Sequence, residues 1–220
     1  MTLALYILVT TLSLITLIYV IKFYSNQMAW AQYYRRNNNM PHHNLLLKYP
    51  FADKFKNQNT VNILDLGAGN GQESKYFLDM GCHVYAVDMN KMSIKLVNNK
   101  ASADQKPRLN LIHSSFEKLD WDSLPDFDGV IALHALPFLS KQNLDYVWNK
   151  IQHKLKPGGI FIATLFGDKV TAVDSSEITM FHSLEEIQPL LENYKVLFAE
   201  ELLSGTDDAV VHCFELILQK

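Results

Sequence analysis

Cysteine is scarce. Only Cys82 and Cys213 occur in 220 residues, and no CxxC spacing is present. That excludes a disulfide-stapled scaffold and a cysteine-built zinc site, and implies a reduced, metal-free chain. A basic excess is lacking too: the formal net charge is -3, and the pI is about 6.2. Extended contact with nucleic-acid phosphates is therefore not expected. Charge of either sign is missing from the first 21 residues, where Leu3 to Ile21 is Leu, Ile, Val, Tyr, Ala and Thr almost throughout. A helix of about 20 apolar residues crosses a bilayer core. A cleaved signal peptide would show a basic start and a shorter apolar run. A soluble helix buried all round would serve a domain that is already complete without it. Residues 1–22 are thus expected to be a transmembrane anchor. Acids are nearly absent from the flank that follows, with Asp53 against Lys22, Arg35, Arg36, Lys48, Lys54 and Lys56. The positive-inside tendency places such a flank in the cytoplasm, giving a single-pass membrane protein whose body faces that compartment.

Residues 23–58 show no sustained periodicity. They carry an aromatic cluster (Tyr24, Trp30, Tyr33, Tyr34), an Asn run and Pro41-His42-His43, which reads as a connecting segment with some helix. Residues 59–220 form the main domain. From Val61, apolar runs of strand length alternate with helical stretches, the mark of parallel strands with crossover helices. Strands are expected near 61–66, 83–88, 108–113, 128–133 and 159–165, and helices near 71–81, 90–101, 141–155 and 184–193. Two more apolar runs, 194–203 and 209–218, are joined only by a short turn at Ser204-Gly205-Thr206-Asp207-Asp208, so they must pair antiparallel.

The segment Val61-Asn62-Ile63-Leu64 leads into Asp65, then Gly67, Gly69 and Gly71 at alternate positions, then a helix. Strand, glycine turn and helix form a nucleotide-site arrangement. The dinucleotide fingerprint places its third glycine where this chain has Gln72, which disfavours NAD chemistry. An acid ending the first strand suits a zwitterionic amino-acid ligand, because Asp65 can accept from an ammonium group. The next strand ends in Asp88, which can accept two ribose hydroxyls in a charge-assisted manner. The alternative for Asp88 is a helix N-cap, a duty that Asn90 and Ser93 could share.

With these residues, the run Val61–Asn90 resembles the first two motifs of class I S-adenosylmethionine (SAM)-dependent methyltransferases, and the strand inventory resembles their sheet. The resemblance implies a doubly wound, seven-stranded, mostly parallel, Rossmann-like α/β fold ending in an antiparallel hairpin. It further implies that SAM is the cofactor, that Asp65 and the loop Gly67, Ala68, Gly69, Asn70 and Gly71 hold its methionine part, and that Asp88 with Met89 holds the ribose end. Leu155-Lys156-Pro157-Gly158-Gly159 is similar to a structural turn of the family. A narrower resemblance, to small-molecule enzymes such as tellurite-resistance and thiopurine-type methyltransferases, rests on Ile131–Leu139, Phe166-Gly167-Asp168 and Pro41-His42. Where the family commonly has an acid for the adenine amino group, this chain reads Ser114-Ser115-Phe116. Ser115 and Phe116 then become the adenine contacts, with Leu133 as a further cofactor-binding residue.

Methyl transfer needs placement more than a base, because the sulfonium is already a strong electrophile. If a proton must leave the acceptor, His134 and Asp168 are the catalytic candidates, and Tyr33, Tyr34 and His134 are candidates for substrate contact. His134 reads equally as a hydrogen-bonded structural residue, and His212 as a half-buried strand residue. His42-His43 lacks a matching acid or cysteine, so no metal is expected there. The aromatic residues 30–34 read as core packing or as a lid. The expected activity is methyl transfer to a small molecule at the cytoplasmic face of a membrane, with a SAM-binding sensor or scaffold as the alternative.

Overall fold

Short runs of Val, Ile, Leu and Phe flanked by glycine and asparagine turns become strands buried on both faces, and the stretches between them become crossover helices. The computed structural model describes residues 24–56, 58, 60–170, 182–206 and 209–220. The apolar run Leu3–Ile21 lies outside the described residues. Among those residues, no helix is long and apolar enough to cross a membrane.

The strands are β1 (Asn62–Leu66), β2 (His83–Asp88), β3 (Leu109–His113), β4 (Phe127–Ala132), β5 (Leu155–Phe166), β6 (Lys195–Thr206) and β7 (Ala209–Gln219). They form one seven-stranded sheet in the order β3-β2-β1-β4-β5-β7-β6. The first five pair in parallel; β7 runs antiparallel to both β5 and β6. This is the doubly wound sheet with a C-terminal hairpin anticipated above. One boundary differs: β5 begins at Leu155, so the Lys156-Pro157-Gly158-Gly159 stretch belongs to the strand. The strand tolerates this by a register shift against β4 between Phe127 and Gly129, with Gly158 at φ +75°.

The helices are α1 (residues 24–36), α2 (Phe51–Phe55), α3 (Gln72–Asp79), α4 (Lys91–Lys100), α5 (Lys141–Lys154) and α6 (Leu184–Leu191). Alternation along β5 sorts its side chains between two cores. Phe161, Ala163 and Leu165 join Val147, Trp148 and Ile151 of α5 and Ile187 of α6. Ile160 and Ile162 join Phe51, Phe55, Phe77 and Leu78 on the other face. Two local signals fix helix starts: the Ser140 side chain accepts from the Asn143 amide, and Ser183 with Glu186 forms a reciprocal capping box. Because the parallel strands all end on one side, the loops after β1, β2, β4 and β5 gather there, at the switch point between β1 and β4.

Candidate functional site

The loop after β1 turns on glycines. Gly67 has φ +77° and Gly71 φ +82°, conformations costly for a residue with a Cβ. A Cβ on Gly67 would stand 2.6 Å from the Ala135 Cβ and 3.6 Å from the Phe116 ring; one on Gly71 would meet the Val97 backbone at 3.0 Å. The turn therefore seats the loop between β4's trailing segment and the C-terminal half of α4.

Asp88, at the end of β2, organises that loop. Its Oδ2 accepts from the Gly69 amide at 2.9 Å and its Oδ1 from the Asn90 amide at 2.7 Å. Asn90 itself caps α4 by accepting from the Met92 amide, so the capping duty falls to Asn90 and leaves Asp88 turned into the loop. A further group comes from α1: the Tyr34 hydroxyl faces Asp88, and burial together with that carboxylate pushes the phenol's pKa well up. Burial also raises the Asp88 pKa, against the backbone donors that lower it.

Asp65 is 3% exposed and accepts from the Ser74 hydroxyl at 2.5 Å. Burial, then the charges of Glu73 and Asp88, push its pKa up to about 7. No cation stands among the causes acting on Asp65 or Asp88. Asp65, Glu73 and Asp88 thus surround a glycine turn, and Lys100 acts on Glu73 while the two buried aspartates have no cation acting on them. Such a set of acceptors fits a ligand with a cationic amino-acid end and a diol.

A consequence can be measured in the ligand-free chain. An unfolded aspartate releases its proton near pH 4, whereas folded Asp65 keeps its proton to about pH 7. Between those values the folded state binds more protons, so the Asp65 contribution to stability falls as pH rises and is lowest above 7. Asp65→Asn should remove this slope. In urea unfolding at pH 5, 6, 7 and 8, the variant is expected to gain on wild type by on the order of 1 kcal/mol per pH unit up to about 7, then no further. Parallel curves for the two chains would contradict it.

Helix α1 lies over this loop. Asn70 Nδ2 donates to the Asn37 carbonyl at 2.7 Å, and the Asn38 carbonyl accepts from Gln72 Nε2 at 2.8 Å and from Lys100 Nζ at 2.6 Å. Asn90 Nδ2 donates to the Gln27 carbonyl. Of the aromatic cluster, Trp30 packs edge-on to Phe138, Tyr34 lies against Gly69, and Tyr33 is 56% exposed. Tyr34 thus meets a residue expected to bind the cofactor, and Tyr33 faces outward.

The remaining expected site residues divide. Phe116 lines the Gly67 turn, while the Ser114 hydroxyl donates to the Ser115 carbonyl. Met89 is 48% exposed, its carbonyl 3.0 Å from His113 Nε2. Leu133 packs partly buried on the second core. His134 follows β4 at φ +52°, its amide donating to Thr164 Oγ1 at 2.6 Å. Asp168 is not its partner. The Asp168 carboxylate stands 3.6 Å from Nδ1 of His212, a residue that also accepts from the Lys169 amide and contacts Glu201. His212 is 1% exposed and tethers the loop after β5 to β7; it is a strand residue, but fully buried and not half-buried as expected.

Glu73, Thr164 and His43 were not singled out as site residues in the sequence, yet they stand here. Glu73 accepts from the His43 amide at 2.9 Å, and the His43 ring lies 5.1 Å from that of His134. An acid in the first turn of the helix after a glycine loop was the available signal for Glu73. Nothing in the sequence marked Thr164, a hydroxyl within an apolar strand. No group of side chains suited to a metal occurs among the described residues.

Comparison with known proteins agrees with this geometry. Residues 64–163 match the methyltransferase domain family. A sterol 4-C-methyltransferase of Caenorhabditis elegans is 30% identical over 112 residues, covering 50% of this chain and 33% of that protein. A tRNA N(3)-cytidine methyltransferase of Gallus gallus is 26% identical over 127 residues, covering 55% of this chain and 34% of that protein. The chain thus spans about a third of the length of these relatives. In fold it is similar to TehB from Haemophilus influenzae, with a TM-score of 0.62 at 16% identity over 76% of this chain and 60% of that one. Fold, glycine turn and family match agree: residues 64–163 match a methyltransferase domain, and SAM is the cofactor which that match supports.

Proposed function

We propose that the chain transfers a methyl group from SAM to a small, lipophilic acceptor at the cytoplasmic face of a membrane. The observation that carries this reading is the glycine turn with two buried aspartates, Asp65 and Asp88, on which no cation acts. In it, Asp65 receives the ammonium of the cofactor, the Gly67–Gly71 backbone lies along the methionine part, and Asp88 takes the ribose hydroxyls. Met89 joins Asp88 at the ribose end, Ser115 and Phe116 border the adenine, and Leu133 is a further cofactor contact. Tyr33, Tyr34 and His134 stand on the side where the acceptor approaches. Bound SAM supplies an electrophilic methyl group, and the chain's task is to hold the acceptor atom in line with it and to keep water out.

Titration calorimetry with SAM, S-adenosylhomocysteine and NAD tests the reading. Both sulfur ligands are expected to bind and NAD is not; failure of both sulfur ligands overturns it. The acceptor class draws on the apolar run Leu3–Ile21, and a relative named for sterol methylation points the same way. The relative named for tRNA carries less weight, given the net charge of -3. Deleting residues 1–22 is expected to move the protein from the membrane pellet to the supernatant after ultracentrifugation. Full-length protein already in the supernatant would remove the anchor.

One observation favours a second reading, a SAM sensor without transfer: the Tyr34 hydroxyl already faces Asp88. Transfer of label from methyl-labelled SAM into a lipid extract separates the two.

A further inference from the structure

The turn after β4 holds an imidazole whose proton can be located. Thr164 is fully buried, and its hydroxyl oxygen accepts the His134 amide at 2.6 Å. The single hydroxyl hydrogen has to go elsewhere, and among the described residues the one available acceptor is His134 Nδ1, at 3.4 Å. With Nδ1 accepting, the neutral ring carries its proton on Nε2. Desolvation by the surrounding protein, with His43 as the lesser cause, lowers its pKa to about 4, although the residue itself is exposed. The ring is therefore neutral at physiological pH, with no lone pair free to take a proton.

The neighbouring ring is equally committed. His43 Nδ1 accepts from the Leu45 amide at 3.2 Å, which places its proton on Nε2, facing the Glu215 carboxylate at 3.8 Å. Neither histidine offers a base to an acceptor. What His134 does offer is a donor. Its Nε2 has no partner among the described residues, and the residue keeps an exposed edge. The next residue, Ala135, forms the wall of the Gly67 turn. A left-handed backbone at a non-glycine residue, pinned by a buried hydroxyl, is strain of the kind retained where a side chain must be aimed.

We propose that His134 fixes the methyl acceptor by donating a hydrogen bond from Nε2–H to an oxygen lone pair on it, and that it does not remove the acceptor's proton. This rests on the methyltransferase reading and specifies its substrates: molecules with a carbonyl, carboxylate or phenolate oxygen near the methylated atom. Primary alkyl ammonium compounds, which enter as donors, are excluded.

The proton is read directly by long-range 1H–15N spectra of full-length protein labelled at histidine nitrogen, with His134 assigned by its loss in His134→Asn. The expected result is the Nε2–H form throughout pH 6 to 8. An Nδ1–H ring, or a titration within that range, overturns the proposal. The contact is read by methyl transfer to catechols, hydroxybenzoates and alkyl amines. Label is expected in the oxygen compounds. With those acceptors, His134→Gln, which keeps a donor, should stay within about tenfold of wild type, while His134→Leu should lose about 100-fold. SAM affinity by calorimetry should be unchanged in both. Equal loss in the two variants, or transfer to amines alone, overturns the contact. Wild-type protein that binds no SAM overturns the methyltransferase reading itself, whereas SAM binding together with an Nδ1–H ring overturns only the role of His134.

Discussion

Asp88→Ala is expected to weaken SAM binding by at least about 100-fold in titration calorimetry. Hydrogen bonds to a charged acceptor contribute about 1.5–3 kcal/mol each, and a ribose diol makes two of them. The substitution also removes the acceptor for the Gly69 and Asn90 amides, 2.9 and 2.7 Å away, so part of the loss comes from a loosened glycine loop. Asp88→Asn keeps the shape and one oxygen, but its NH2 has to face the Gly69 or the Asn90 amide, so it should lower the melting temperature in part and lose most of the affinity. Undiminished SAM binding in the alanine variant would remove Asp88 from the ribose role.

Gly67→Val is the second large effect, and it acts through the backbone. At φ +77° a β-branched residue is strained, by about 1–2 kcal/mol, and its Cβ would be driven into the Ala135 Cβ at 2.6 Å. With about 1–3 kcal/mol more for overpacking, the melting temperature should fall by roughly 5–15 °C. SAM binding should be lost at temperatures where the chain is still folded. Gly81→Ala is the matched control: Gly81 has φ +87°, but the nearest atom to its Cβ is the end of Arg108, 4.0 Å away. That variant should show the strain in its melting temperature and leave SAM affinity as it was. Equal affinity losses in both variants would mean that the Gly67 turn has no special tie to the site.

The first four strands were legible because each is a run of five or six residues, rich in apolar side chains and bounded by turn residues. The β6–β7 reversal followed from connection length alone. Asp65 and Asp88 were legible for a related reason: a charged residue ending a buried strand has few structural reasons to be there. What escaped was whatever depends on the approach of distant segments. Proline at 157 read as a helix-ending turn, yet β5 absorbs it by a bulge against β4. Asp168 read as one of several candidate bases, and the antiparallel pairing of β5 with β7 brings Cys213 opposite Phe166 and carries the Asp168 carboxylate to His212. Thr164 gains its meaning only through strand alternation and a left-handed turn thirty residues away in sequence. The lid reading of residues 30–34 was weighed equally with core packing, because the contacts that hold α1 are side chains reaching backbone carbonyls of Gln27, Asn37 and Asn38. Carbonyls carry no sequence signature.

The approach of the Tyr34 hydroxyl to Asp88 has a thermodynamic corollary. A ligand that needs the Asp88 carboxylate competes with a group of the same chain, so its apparent dissociation constant is the intrinsic one divided by the fraction of molecules in which α1 stands open. Whatever raises that fraction raises SAM occupancy without touching a single cofactor contact. If Asp88 takes the ribose, the affinity for SAM depends on a helix that lies outside the sheet.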